Sequence, residues 1–274
     1  MRRDAGLLAG AFAALAVVSG SWAQSGQPLL LPIKVTHAMT FVHTLAIHNG
    51  THPDAQDSSL SETFDITVLR VLPQGSQIAF TLRSYSGAGD YGSSVALVEA
   101  MMNVPVEIEL NRDGLPIRLL NWDQIAGRID ALIPAAQKGQ YSSDDRQALV
   151  MTLMMEDLVI LAAMQPRAPL AAGRTALPPS NVGHDGFSMG AVQTIDLLGV
   201  DPSRCEANLR RETVTTSGYE TKRSQDLVTT AAVSTNDGWV LNLHEALTTT
   251  NFSRTTDIRR INPPPCEAAA PPGS

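Results

Sequence analysis

Aromatic residues are scarce in this chain. Six Phe, four Tyr and three Trp make up 5% of its 274 residues. So few rings leave little with which to stack bases or sugars. Cationic residues are also in deficit, with 20 Lys and Arg against 27 Asp and Glu and a formal charge of -7. A nucleic-acid binder needs a basic face to neutralise phosphates, so no nucleic-acid partner is expected. There are only two cysteines. What is plentiful is ordinary: 43% hydrophobic residues, enough to exclude wholesale disorder.

The N-terminal stretch reads as an address rather than as part of the fold. Met1-Arg2-Arg3 is a short positive start, Leu7 to Val18 is apolar, and Ser21-Trp22-Ala23 places small residues before Gln24. These are the three parts of a secretory signal peptide, residues 1–23. The apolar run is about 12 residues, where a spanning helix needs about 20, so the processed chain is not expected to be transmembrane. No cysteine follows the cleavage position, which argues against a lipid-anchored form. Removing 23 residues from 274 leaves 251, and the loss of two Arg and one Asp deepens the charge to -8. The expected location is periplasmic or extracellular. There, Cys205 and Cys266 read as one disulfide, pinning a Pro-rich tail to the strand near Cys205. Nothing around either cysteine offers the base and positive pocket of a reactive thiol.

Hydrophobic residues from Leu31 through Ile33, Val35, His37, Met39, Phe41, His43 and Leu45 to Ile47 fall on odd positions. That period of two predicts one long half-buried strand or two bent ones. A polar loop is expected over 52–61. Alternation at Phe64, Ile66 and Val68 and again at Ile78, Phe80 and Leu82 predicts a hairpin, with a loop over 84–94. Val104 to Leu110 and Leu115 to Leu119 flank Asn111-Arg112-Asp113-Gly114, a strong hairpin signal because Gly accepts the positive φ of the turn. Five further strands are predicted over 187–198, 205–214, 227–235, 239–247 and 252–261.

Between these strand groups the period changes. Trp122, Ile125, Ala126, Ile129, Leu132, Ile133 and Ala136 form a helical stripe, with Asn121 and Gln124 spaced as a capping box. A second helix begins near Ser143 and runs from Leu149 to Met164, ending at Pro166. It is apolar nearly all round apart from Thr152, Glu156 and Asp157, and so should be buried on most sides. Its two carboxylates either mark one wet stripe or are buried against Arg or Lys from the sheet.

The predicted fold class is α+β: a large curved antiparallel sheet packing on two helices inserted mid-chain, half-barrel-like. The expected organisation is one domain over 28–262 and a flexible Pro/Ala-rich tail over 263–274. In outline the element order, from Leu31 to Ile261, resembles the half-barrels of periplasmic lipoprotein and lipid carriers. No residue motif carries that resemblance, so no functional residue is transferred. It implies an apolar cavity between sheet and helices, with Leu149, Leu153, Glu156, Asp157, Ile160 and Met164 as candidates to line it.

Two patterns hint at chemistry. Gly186-Phe187-Ser188-Met189-Gly190 matches the nucleophile elbow of serine hydrolases, which would use Ser188, His244 and one of Asp196, Asp201 or Asp226. An elbow needs a buried strand before Ser and a helix after it. Here Pro178-Pro179-Ser180-Asn181 precedes it and alternation follows. His37, His43, His48 and His52 form the other group, but His37 and His43 stand about 20 Å apart on a straight strand, too far for one ion. No catalytic residue, metal site or cofactor is therefore expected. The sequence reads as an exported, non-enzymatic envelope protein that binds an apolar ligand, such as a lipid acyl chain, or an envelope protein partner. The alternatives are a serine hydrolase and a purely structural or interaction module.

Overall fold

The computed structural model describes residues 29–266 except 32, 51–56, 90–94, 134–141, 166–167, 178–179, 185–186, 217–223 and 249–251, with backbone alone at 180–184, 187–191, 215–216 and 224–226. The predicted signal peptide, His52 and the tail beyond 266 lie outside the described residues.

Twelve strands form one antiparallel sheet: β1 (Met39–Asn49), β2 (Ser58–Leu72), β3 (Gly75–Ala88), β4 (Val106–Asn111), β5 (Pro116–Leu119), β6 (Gly173–Ala176), β7 (Ser180–His184), β8 (Phe187–Asp201), β9 (Glu206–Thr216), β10 (Ser224–Ser234), β11 (Val240–Thr248) and β12 (Phe252–Arg260). Neighbours run in the order β5-β4-β3-β2-β1-β12-β11-β10-β9-β8-β6, with β7 paired to β8. The sheet is open: β5 and β6 end it. Among the described residues three helices accompany it, α1 (Val95–Met101), α2 (Trp122–Leu132) and α3 (Ser143–Ala163).

Hairpin chemistry sets the register. Gly114 takes φ 79° in the β4–β5 turn, where Asn111 Oδ1 accepts from the backbone N–H of Asp113 and of Leu115. At Gly75 a Cβ would stand 1.9 Å from the Leu110 carbonyl oxygen, so only glycine lets β3 pass this close to β4. Pairing of β1 with β12 joins the first strand group to the last, with His43 opposite Ile258 on β12 and opposite Glu62 on β2.

One face of the sheet carries the core. Phe41, Phe64 and Phe80 stack in sequence, with ring centroids 5.5 and 4.9 Å apart, and Trp239 leans on Phe41 at 6.4 Å. Ile125 and Ile129 are the buried residues of α2, which packs against α1 and α3.

Several expectations are corrected. Among the described residues the helices number three, and the additional one, α1, precedes β4 instead of joining a mid-chain pair. Residues 33–38 are not strand, and His37 and Val35 are exposed; the stretch is held by Thr36 against Val68, by Ile33 against the core and by Asn262, which donates to the Ala38 carbonyl. Strands β2 and β3 extend through the predicted loops at 58–61 and 84–88, since polar Ser58 and Glu62 take inward positions and mask the alternation. Strands β6 and β7 were not anticipated. Asn121 forms no side-chain cap; its amide instead bridges the chain before β4, accepting from Glu107 N–H and donating to the Pro105 carbonyl. The real capping box is Ser142 with Asp145, at the start of α3. Nor is α3 buried on most sides: Leu149, Met155 and Val159 are 38–40% exposed, because the helix lies as an outer layer on one sheet face.

The disulfide joins Cys205 and Cys266 across 61 residues, with Cα atoms 5.4 Å apart. Loop-closure entropy for that span is about 4 kcal/mol. The double substitution Cys205→Ser, Cys266→Ser should lower the urea-unfolding free energy by that order; a loss below about 1 kcal/mol would contradict it.

Candidate functional site

The covered face changes character along the strands. Around Phe41 and Phe64 it is apolar. Two residues further along β1, the antiparallel registers line up a transverse row of Leu209, Ala231, Leu243, Ile258, His43, Glu62 and Tyr85. The next row holds Ile195, Arg211, Thr229, Glu245, Thr256 and Leu45, and the row beyond it brings Arg254 opposite Ile47. Ionisable groups are thus set on the inner face of a sheet, beneath a mostly apolar helix.

The α3 residues meet them. His43, Glu62 and Asp157 are 0%, 4% and 1% exposed. His43 Nδ1 lies 3.0 Å from Glu62 Oε1 and 2.8 Å from Asp157 Oδ1. One N–H cannot point at both acceptors, and Asp157 Oδ1 takes no hydrogen bond. One residue earlier on the helix, Glu156 accepts from the Arg254 guanidinium. At the helix end, Arg211 donates to the Ala163 carbonyl at 2.7 Å and to Gln193 Oε1 at 2.6 Å, satisfying one of the last-turn carbonyls that a helix leaves open. Thr229 donates to the buried Glu245 at 3.0 Å. These contacts fasten the C-terminal half of α3 to β1, β2, β9 and β12.

The electrostatics follow from burial and proximity. Burial alone would lower the His43 imidazole; the close carboxylates of Asp157 and Glu62 outweigh it and raise its pKa to about 10. Burial, and then the charge of Glu62, hold the Asp157 carboxyl well above the usual carboxylate range, against the lowering pull of His43. The surroundings thus favour the charged form of the His43 imidazole and the neutral form of the Asp157 carboxyl. Burial also lowers the Arg211 guanidinium, opposed by the charge of Glu245. Burial and the charges of Glu62 and Glu156 raise the Tyr85 phenol. His43, Glu62 and Asp157 are the one set among the described residues whose potential ligand atoms all lie within 4.8 Å of one another.

The six cavity candidates separate. Leu153 lines an apolar recess with Phe80, Leu82, Met101, Val106 and Met154, which leaves about 10 Å³ open, the room of a single water. Leu149 is exposed, whereas Ile160 and Met164 are core residues. The two carboxylates differ: Asp157 is buried beside His43 and Glu62, whereas Glu156 is half-buried and pairs with Arg254. Arg254 supplies the sheet arginine that burial demanded for Glu156. Glu62, Arg211 and Glu245 escaped sequence reasoning, although the even-position pattern of Ser58, Leu60, Glu62 and Phe64 carried the signal for Glu62.

Ser188 and His244 are not brought together. Ser188 lies within a β7–β8 hairpin, opposite Gly183, and not at a strand-to-helix elbow. His244 is on β11, three strands away in the sheet order, which is about 14 Å across the sheet before any offset along it. His244 Nδ1 instead faces Asp257 at 2.8 Å, both exposed. His48 likewise pairs with Asp57. No described helix is long and apolar enough to cross a membrane.

No family model matches the sequence, and no curated protein matches it. Among solved structures, lipovitellin, studied for its lipid–protein interactions, is similar over 86% of this chain at 9% identity and a TM-score of 0.46; the chain spans 26% of lipovitellin's length. The hypothetical lipoprotein YmcC of Escherichia coli K12 is similar over 82% of this chain and 85% of its own, at 9% identity and a TM-score of 0.27. A protein of YmcC-like fold from Bacteroides fragilis, described as exported, covers 86% and 100% at 9% identity and 0.26. The loose resemblance to lipoprotein folds in element order recurs among these, as a likeness of outline alone.

The pH dependence of stability follows from His43 and Asp157. A group whose pKa is raised on folding stabilises fully below its unfolded value and loses that contribution as pH rises through its folded value. For His43 that window runs from 6.5 to about 10; for Asp157 it opens at the ordinary aspartate value and extends upward. In EDTA, unfolding free energy should fall through the alkaline range by up to about 1.4 kcal/mol per pH unit from His43. His43→Gln should flatten that arm. A wild-type curve no steeper than the variant's between pH 6.5 and 10 would contradict the assignment.

Proposed function

We propose that the protein is an exported, non-enzymatic binder of an apolar ligand bearing an acyl chain, received between the N-terminal half of α3 and the sheet. The observation that carries this reading is the recess around Leu153. Its walls are apolar, two of them Met101 and Met154, whose unbranched side chains adapt to irregular occupants. The polar contacts of α3 lie toward the other end, at Glu156, Asp157 and Ala163. Against the sheet, the helix is thus fixed by polar contacts from Glu156 onward and by apolar side chains before it, while Arg146 pairs with Asp130 of α2. An open space of about 10 Å³ is far smaller than an acyl chain, so binding requires Leu153 and the methionines to swing aside. The Cys205–Cys266 bridge supports an oxidising compartment and hence export.

A second reading rests on a different observation. Leu149, Met155 and Val159 form an exposed apolar stripe on the outer side of α3, which favours an envelope protein partner lying along that helix.

Displacement of a fluorescent fatty acid tests the first reading. Saturable one-to-one binding is expected, weakened at least tenfold by Leu153→Trp, which fills the recess, and unchanged by Thr152→Trp on the exposed side. Absence of saturable binding, or equal loss in both variants, would sink it.

A further inference from the structure

His43, Glu62 and Asp157 come from three different elements, β1, β2 and α3, and converge at one buried point. We propose that these three side chains form a binding site for one divalent first-row transition ion, which staples α3 to the first two strands. Their ligand atoms all lie within 4.8 Å of one another. Ligands about 2.1 Å from an ion and at right angles around it stand about 3 Å apart; His43 Nδ1 is 3.0 Å from Glu62 Oε1 and 2.8 Å from Asp157 Oδ1.

A hydrogen-bonded cluster explains only part of this. The single Nδ1–H serves Glu62, and Asp157 Oδ1, 1% exposed and aimed at the same nitrogen, takes no hydrogen bond. An ion between the three groups would give that oxygen a partner and let the nitrogen act as a ligand through its lone pair. Charge agrees: a dication facing two carboxylates and a neutral imidazole leaves the buried cluster neutral, as a low-dielectric site requires. The ligand set selects the class. Imidazole with two carboxylates suits Zn²⁺, Mn²⁺, Fe²⁺ or Co²⁺, whereas Ca²⁺ asks for six to eight oxygens. A site this enclosed has the character of a structural clamp. It is independent of the ligand-binding reading, since none of its three residues lines the recess at Leu153.

The test uses the full chain, stripped with EDTA and dialysed separately against Zn²⁺ and Mn²⁺. One equivalent of one of these ions should be retained by elemental analysis. The melting temperature should rise by about 5–10 °C when the ion exceeds its dissociation constant a hundredfold. Asp157→Asn and Glu62→Gln should abolish both effects. The double variant His48→Ala, His244→Ala, which removes the exposed His–Asp pairs, should keep them. Where the cluster variants fail to fold, the imidazole resonance of His43 in the wild-type chain decides: it should shift and saturate with one equivalent. Retention below about 0.1 equivalent of both ions, binding lost only in the His48/His244 variant, binding unchanged in Asp157→Asn and Glu62→Gln, or an unmoved His43 resonance would each overturn the proposal.

Discussion

A helix carrying two adjacent carboxylates cannot lie flat on an apolar sheet. Removing an ionised carboxylate from water without a partner costs several kcal/mol, more than the burial of any one apolar side chain returns. The position of α3 therefore depends on what the sheet offers at Asp157 and Glu156. The sheet offers His43 with Glu62 on adjacent strands, and Arg254 two rows away. Because β1 pairs with both β2 and β12, the last strand of the chain and the first two are needed at once to receive one turn of the helix. The same pairing joins the early strands to the late ones, so the β1–β12 junction and helix docking share a set of residues.

This divides the covered face into two regimes. Toward Phe41, Phe64, Phe80 and Trp239, packing is apolar and tolerant, with methionines in the wall of the recess near Leu153. Toward His43, Thr256, Glu245 and Arg211, packing is polar and directional. Apolar contacts leave a helix able to shift; buried charge pairs fix its register, because a one-residue slip would leave them unpaired. The ion site lies in the polar regime, one helical turn beyond the recess at Leu153.

Much of the sheet was legible in the sequence. Odd-position alternation gave the inner face of β1, and Asn111-Arg112-Asp113-Gly114 gave the β4–β5 hairpin. The five C-terminal strands lie within a few residues of their expected bounds, because half-buried antiparallel strands leave a period of two. The failures share a cause: local pattern says nothing about long-range partners. His43 was recognised on the apolar face, but Glu62 was hidden at the rim of an expected loop. The alternatives for Asp157, a wet stripe or burial against a sheet Arg or Lys, did not include a histidine and a second carboxylate, because α3 alone does not reveal the sheet beneath it. The Asn121 and Gln124 spacing mimicked a cap, while the Asn121 amide was engaged by backbone groups of Pro105 and Glu107. The G-x-S-x-G pattern shows the converse: five residues matched a motif whose strand–turn–helix context the hairpin at Ser188 does not supply.

The central claim is that the buried contact between His43 and Asp157 positions α3. A double-mutant cycle measures it directly, using His43→Gln, Asp157→Asn and the pair together, with unfolding free energies at pH 7 in EDTA. The account predicts that the single losses far exceed additivity, with a coupling energy of about 2 kcal/mol or more. Losses that add within about 0.5 kcal/mol would show that the helix is held by its apolar face alone, and would contradict it.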